Sequence, residues 1–108
     1  MTDSRTTVEE LKQVFKKFCQ ERGWDRLNSP KDLSMDIISE AAELIDLFVY
    51  VSEKDLPKQL QEKREAIENE VADIAFALLN FCSTFNIDLS KAIEHKMVLN
   101  AQKHPAKK

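Results

Sequence analysis

Between Pro57 and Asn86 the chain carries neither proline nor glycine, and there Leu60, Ile67, Val71, Ile74, Leu78, Phe81 and Phe85 recur on a three-four spacing. That is the repeat of an α-helix packed along one face, and it predicts a long third helix extending to about Phe85. Once a helix of that length is present, little else remains for a chain of 108 residues. One glycine and three prolines leave too few turn-formers for a sandwich. The 43% apolar and 32% charged residues suit amphipathic helices and exclude a disordered or collagen-like chain. The expected architecture is an all-α, four-helix bundle. It is read as a single domain over residues 1–108, with residues 1–5 and 104–108 as flexible ends.

The other helices have their own signals. Thr7 and Glu10 have the spacing of a capping box, and Val8, Leu11, Phe15, Phe18 and Cys19 share a face, up to Gly23. Residues 24–29 read as a connection. Ser29-Pro30 then supplies an N-cap and a proline at the first helical position, for a second helix from Pro30 to about Val51. Asn86-Ile87-Asp88 marks the next break, and a last helix follows to about Lys103. The third helix is apolar on a further side through Ala72, Ala75, Phe76, Leu79 and Cys82, more than a small monomer can cover. The bundle is therefore expected to be completed by homo-oligomerisation, as a homodimer or homotetramer. Cys19 and Cys82 fall on apolar faces and read as buried free thiols.

Charge excludes some partners. With 16 basic and 19 acidic residues the net charge is −3, without the basic field that binding to a nucleic-acid polymer needs. No run approaches the roughly 20 apolar residues of a membrane span, and the polar N-terminus lacks the pattern of a secretory signal. A cytoplasmic protein with no membrane partner is expected.

Four carboxylates stand where burial would be costly. At about 100° per residue, Leu33 and Leu44 lie within roughly 20° to 40° of Glu40, and Ile67, Ile74 and Phe81 lie within roughly 60° of Glu70. Glu43 is three residues from Glu40, and Asp73 is the one charge in the run from Val71 to Cys82. No lysine or arginine lies between Lys31 and Lys54 or between Arg64 and Lys91. Protonation or a divalent cation is left to compensate such acids. E-x-x-E on one helix and E-x-x-D on the next can converge on one ion, and oxygen-only ligands favour Mg²⁺, with Mn²⁺ as a substitute. A di-iron site would ask for Glu-x-x-His pairs, which neither His95 nor His104 completes. Asp36 and Asp46 read as exposed charges. On the last helix the stripe from Leu89, Ala92 and Ile93 continues through Lys96, Asn100 and Lys103, groups suited to phosphate oxygens. Trp24 and Tyr50 flank the second helix and can stack a base or plug the core.

Taken in order, Phe18 to Trp24 (F-C-Q-E-R-G-W), Ser29-Pro30-Lys31-Asp32-Leu33, Glu40 and Glu43 in S-E-A-A-E-L, Glu70 and Asp73 in E-V-A-D-I, and Lys96-x-x-x-Asn100-x-x-Lys103-His104-Pro105 form a recognisable series. It resembles the MazG-type all-α nucleoside triphosphate pyrophosphohydrolases, in particular the small members similar to deoxycytidine triphosphate pyrophosphatases. The resemblance spans about Phe15 to Pro105. It implies a magnesium enzyme that cleaves a (deoxy)nucleoside triphosphate between the α and β phosphates, releasing monophosphate and pyrophosphate, in the manner of nucleotide-pool sanitation. Glu40, Glu43, Glu70 and Asp73 would match the catalytic metal ligands. Lys96, Asn100 and Lys103 would match phosphate and sugar positions, and Trp24 and Tyr50 the aromatic positions around the base. Ser39 stands where the broader E-E-x-x-E motif has its first glutamate, and His104 replaces a tyrosine. The choice of general base stays open. A reading from another class is a noncatalytic helical oligomerisation or interaction module whose acids are solvated.

Overall fold

The computed structural model describes residues 1–24 and 29–107; the expected connection at 24–29 falls mostly outside them. Five helices follow one another: α1 Val8–Glu21, α2 Pro30–Asp46, α3 Leu56–Glu62, α4 Arg64–Thr84 and α5 Leu89–Lys103, with a single 3₁₀ turn at Glu53–Asp55. No strand occurs among the described residues.

Each start has a chemical cause. The Thr7 hydroxyl accepts from the Glu10 amide at 3.1 Å and the Glu10 carboxylate accepts from the Thr7 amide at 3.3 Å, the expected capping box. Ser29 accepts from the Asp32 amide at 3.0 Å, and Asp88 from the Lys91 amide at 2.9 Å. The end of α1 uses the chain's one glycine. Gly23 sits at φ +66°, its amide donating to the Gln20 carbonyl at 3.2 Å while the Trp24 amide donates to the Cys19 carbonyl at 2.9 Å. This is a Schellman closure, and it directs the chain at Trp24.

Two helix boundaries differ from expectation. α2 stops at Asp46 rather than near Val51 because its last turn tightens: the Leu47 and Phe48 amides donate to carbonyls three residues back, and the Leu47 carbonyl accepts from the Gln59 side chain at 2.7 Å. The expected third helix is two helices, broken at Lys63. No apolar residue lies between Leu60 and Ala66, so no packing holds that turn in line.

α4 is the centre of the molecule, packed against α2 on one side and α1 on another. The Gln59 to Leu47 bond brings the start of the α3–α4 segment to the end of α2, so α2 and α4 run antiparallel. Burial on α4 corrects the expected seam. Val71 and Leu78 remain 51% and 39% exposed, whereas Leu79, expected on the further apolar side, is buried together with Cys82. Phe76, also expected on an outer face, stacks on Phe15 of α1 with ring centroids 5.0 Å apart. With two neighbours at different angles α4 buries a broad arc, and the Val71, Ala72, Ala75 and Leu78 side is left outside. Cys19 and Cys82 are both buried thiols, as expected.

The core is small. Only Cys19, Leu33, Leu79 and Cys82 are buried among the described residues. The Cα radius of gyration is 16.9 Å, against about 13 Å for a compact chain of this length. The excess comes from α5, which leaves α4 at 100° and exposes nearly every residue after Leu89. The turn between them is held by the Lys12 ammonium on the Ile87 carbonyl at 2.7 Å, and by Asn86 at φ 55°. No single helix among the described residues is long and apolar enough to cross a membrane.

Candidate functional site

Glu40 and Glu43 sit on one turn of α2 and Glu70 and Asp73 on one turn of α4, so antiparallel packing turns both pairs toward the same point. Each residue offers a carboxylate oxygen within 4.8 Å of those of the other three. Glu40 and Glu70 are half-buried at the helix interface; Glu43 and Asp73 lie at its solvent edge. One carboxylate oxygen of Glu40 and one of Glu70 are buried without a hydrogen-bond partner among the described residues.

Both buried acids titrate above the usual carboxylate range. For Glu40 the largest cause is burial, followed by the charges of Glu43 and Asp73. For Glu70 burial again leads, followed by the close approach of the Glu43 carboxyl. The chain's ion pairs lie elsewhere among the described residues, at Lys17, Arg22, Lys58 and Arg64 with their near neighbours in sequence. Hard oxygen donors, like charges held together and two orphaned buried oxygens fit a divalent cation of the Mg²⁺ or Mn²⁺ kind. The convergence expected from the spacing is therefore present in the fold.

Beside the acids lies a cleft of about 310 Å³ lined by Phe15, Cys19, Trp24, Asp36, Glu40, Asp73, Phe76, Ala77 and Asn80. Trp24 thus reaches the acid site. The indole is 60% exposed and meets Phe18 edge-on at 5.7 Å, with the Arg22 guanidinium 3.7 Å above the Phe18 ring. The other expected contacts are not assembled in one protomer. Tyr50 is 96% exposed beyond the end of α2 and does not line the cleft. Lys96, Asn100 and Lys103 lie on projecting α5, and no α5 residue lines the cleft either.

Asp36 and Asn80 were not among the expected site residues, yet both line this cleft. The signals existed: Asp36 is one helical turn before Glu40, and Asn80 is the single amide in the run from Ile74 to Cys82. An exposed aspartate one turn from an acid pair is a common surface pattern, so only the packed cleft distinguishes it.

No family model matches the chain. It is 28% identical over 101 residues to dCTP pyrophosphatase 1 of Rattus norvegicus, covering 92% of this chain and 59% of the relative. It is equally similar to dCTP pyrophosphatase 1 of Homo sapiens, over 102 residues, with 93% and 60% covered. The chain thus spans about three-fifths of the length of these curated relatives. The crystal structure of a pyrophosphatase from Archaeoglobus fulgidus superposes with a TM-score of 0.87 at 30% identity, covering 98% of this chain and 99% of that one. With the order of motifs, the convergent acids and a structural relative matched end to end, the chain belongs to the MazG-type all-α nucleoside triphosphate pyrophosphohydrolase family.

Proposed function

We propose that this protein is a Mg²⁺-dependent pyrophosphohydrolase that converts a nucleoside triphosphate, preferably a deoxynucleotide such as dCTP, into the monophosphate and pyrophosphate. The observation that carries the reading is the convergence of Glu40, Glu43, Glu70 and Asp73, two of them with orphaned buried oxygens, beside a cleft walled by Trp24. Those four residues would hold the ion, with Mn²⁺ as a substitute. A divalent ion there supplies charge neutralisation of phosphate oxygens and acidification of bound water.

The chain's own groups do the rest. The carboxylate cluster orients a water for in-line attack on the α phosphorus, opposite the α–β bridging oxygen, and accepts its proton. The P–O bond breaks, and pyrophosphate leaves with the electron pair. Trp24 covers one face of the base and excludes water from it. Lys96, Asn100 and Lys103 meet the phosphates and sugar. Because α5 stands away from its own cleft, a second copy of the chain places these groups over the acids. The exposed stripe Met35, Ile38 and Ile45 on α2, with Val49 just beyond its end and Val71 and Leu78 on α4, favours such a homodimer or homotetramer. Acting on free nucleotides in the cytoplasm, it would remove unwanted members of the pool.

The test is incubation of the purified protein with a panel of nucleoside triphosphates and Mg²⁺, followed by separation of the products. Monophosphate and pyrophosphate in equal amounts support the reading. Diphosphate and orthophosphate, or no turnover of any nucleotide, overturn it.

A further inference from the structure

We propose that Lys12 is a positioning residue for the nucleotide site: from α1 it clamps the root of α5, and so aims the stripe Lys96, Asn100 and Lys103 that meets the phosphates. This rests on the nucleotide reading above and adds the device that fixes where the stripe points. α5 needs such a device, because it packs extensively against no other helix among the described residues and leaves α4 at 100°. Its direction is therefore set at the corner, residues 85–88. There Asn86 takes the left-handed backbone at φ 55°, and the Ile87 amide donates back to the Cys82 carbonyl at 2.9 Å, which closes the end of α4. Asp88 then caps the Lys91 amide and starts α5. These bonds all lie within the corner's own segment. The Lys12 ammonium, 75 positions away in sequence, donates to the Ile87 carbonyl at 2.7 Å. Ile87 is thus held from two directions, by α4 through its N–H and by α1 through its C=O.

The corner is hollow on both sides of this strut. Lys12 lines one cleft of about 320 Å³ with Lys16, Ser83 and Asn86, and another of about 240 Å³ with Thr7, Leu89 and Ser90. Close packing therefore does not fix the angle at the root of α5. Glu9 and Asp88 border both clefts, yet Lys12 forms no ion pair among the described residues and its ammonium goes to the carbonyl. α4 has no basic residue in its last turn, so Lys12 also brings to that end the cation a helix C-terminus favours. A small change at the root becomes large along the helix. At 1.5 Å per residue, Lys96 lies about 12 Å from Asp88 and Lys103 about 22 Å. A swing of about 10° moves them by roughly 2 Å and 4 Å, more than a hydrogen bond tolerates. Misplacement of even about 1 Å, caused far from the chemistry, can cost a hundredfold in rate.

The test measures kcat/KM in Mg²⁺ for the nucleotide that wild type hydrolyses fastest, in parallel with the direction of α5. For the second readout, nitroxide labels on Lys17→Cys and Ala101→Cys, both at exposed positions, report the α1–α5 distance by pulsed electron paramagnetic resonance in protein diluted with unlabelled chain. Lys12→Met keeps the apolar stem and removes the donor, whereas Lys12→Arg keeps a donor. Lys12→Met should lower kcat/KM about tenfold, chiefly through KM, and shift or broaden the label distance by several Å, while Mg²⁺ still raises its melting temperature. Lys12→Arg should recover most of both losses. In a Lys96→Ala background, Lys12→Met should cost about threefold or less, because a group it aims is already gone. An equal cost in both backgrounds overturns the proposal, and so does an unchanged label distance. Failure of both Lys12→Met and the milder Lys12→Gln to fold would assign Lys12 to stability alone and overturn it too. The label distance separates the two readings. Its displacement in Lys12→Met, without turnover of any nucleotide by wild type, upholds the clamp on α5 and defeats the hydrolytic function. Hydrolysis by wild type with no displacement in Lys12→Met defeats the clamp and leaves the function standing.

Discussion

Glu40 and Glu70 face each other across the α2–α4 interface, each burying one carboxylate oxygen that has no hydrogen-bond partner among the described residues. Two such atoms in a group of four acids are a destabilising arrangement for the empty protein, since burial and like charge both oppose ionisation. Protonation or a cation is what can compensate such a group.

Mg²⁺ should therefore raise the melting temperature of the protein. At a concentration about 100 times its dissociation constant, a ligand bound only by the folded state contributes about 2.7 kcal/mol. Asp73→Asn should lose that response and the hydrolytic activity together, while melting at or above the wild-type temperature without metal. A differential scanning calorimetry titration with MgCl₂ checks both statements.

The raised titration of Glu40 and Glu70 has a definite sign. A carboxyl that holds its proton more tightly folded than unfolded favours the folded state at low pH, and that contribution is lost as pH rises from the ordinary value near 4.5 through the raised one. Metal-free wild type should thus lose stability over that window relative to Glu40→Gln, which has no proton to lose there. The difference in melting temperature between the two proteins, followed from pH 4 to 7, should widen in favour of the variant and then level off. A constant difference would count against the mutual repulsion of these acids.

Gly23 has no heavy atom within 4 Å of where a Cβ would sit, so its value is conformational alone. Gly23→Ala forces a Cβ into a left-handed backbone, at a cost of about 1 to 2 kcal/mol. Because the same closure sets Trp24 beside the cleft, KM for the nucleotide should rise more than kcat falls. Urea unfolding and steady-state kinetics on one preparation separate the two effects.

Assembly can be read without perturbing the fold. Ile38 is 70% exposed in the protomer, so Ile38→Glu should leave helical content unchanged yet shift sedimentation from dimer or larger toward monomer at micromolar concentration. If α5 of one copy serves the acids of another, Lys96→Ala and Asp73→Asn should each be nearly inactive alone and regain activity on mixing after dissociation and reassociation. Lys96→Ala by itself should lose roughly ten- to a hundredfold in kcat/KM while keeping its Mg²⁺ stabilisation. Absence of complementation would place Lys96 in its own subunit's site or outside any site.

The sequence by itself determined the helical class, the caps at Thr7, Ser29 and Asp88, the stop at Gly23, and which four acids meet. These are local facts: periodicity near 3.6, a side chain three residues from an amide, and two acids one turn apart. Tertiary structure decided what depends on a neighbour's direction. α4 is apolar over a wide arc, and only its simultaneous packing against α1 and α2 buries Leu79 and Cys82 while leaving Val71 and Leu78 outside. The break at Lys63 was equally hidden, because helix propensity runs through it and only missing contacts let it bend. Asp36 reads as an ordinary surface charge and Asn80 stands alone as an amide in an apolar run; only the packing of α1, α2 and α4 brings both to one cleft. A side chain's periodicity is written in its own segment, but its surroundings are set by segments far away in the chain.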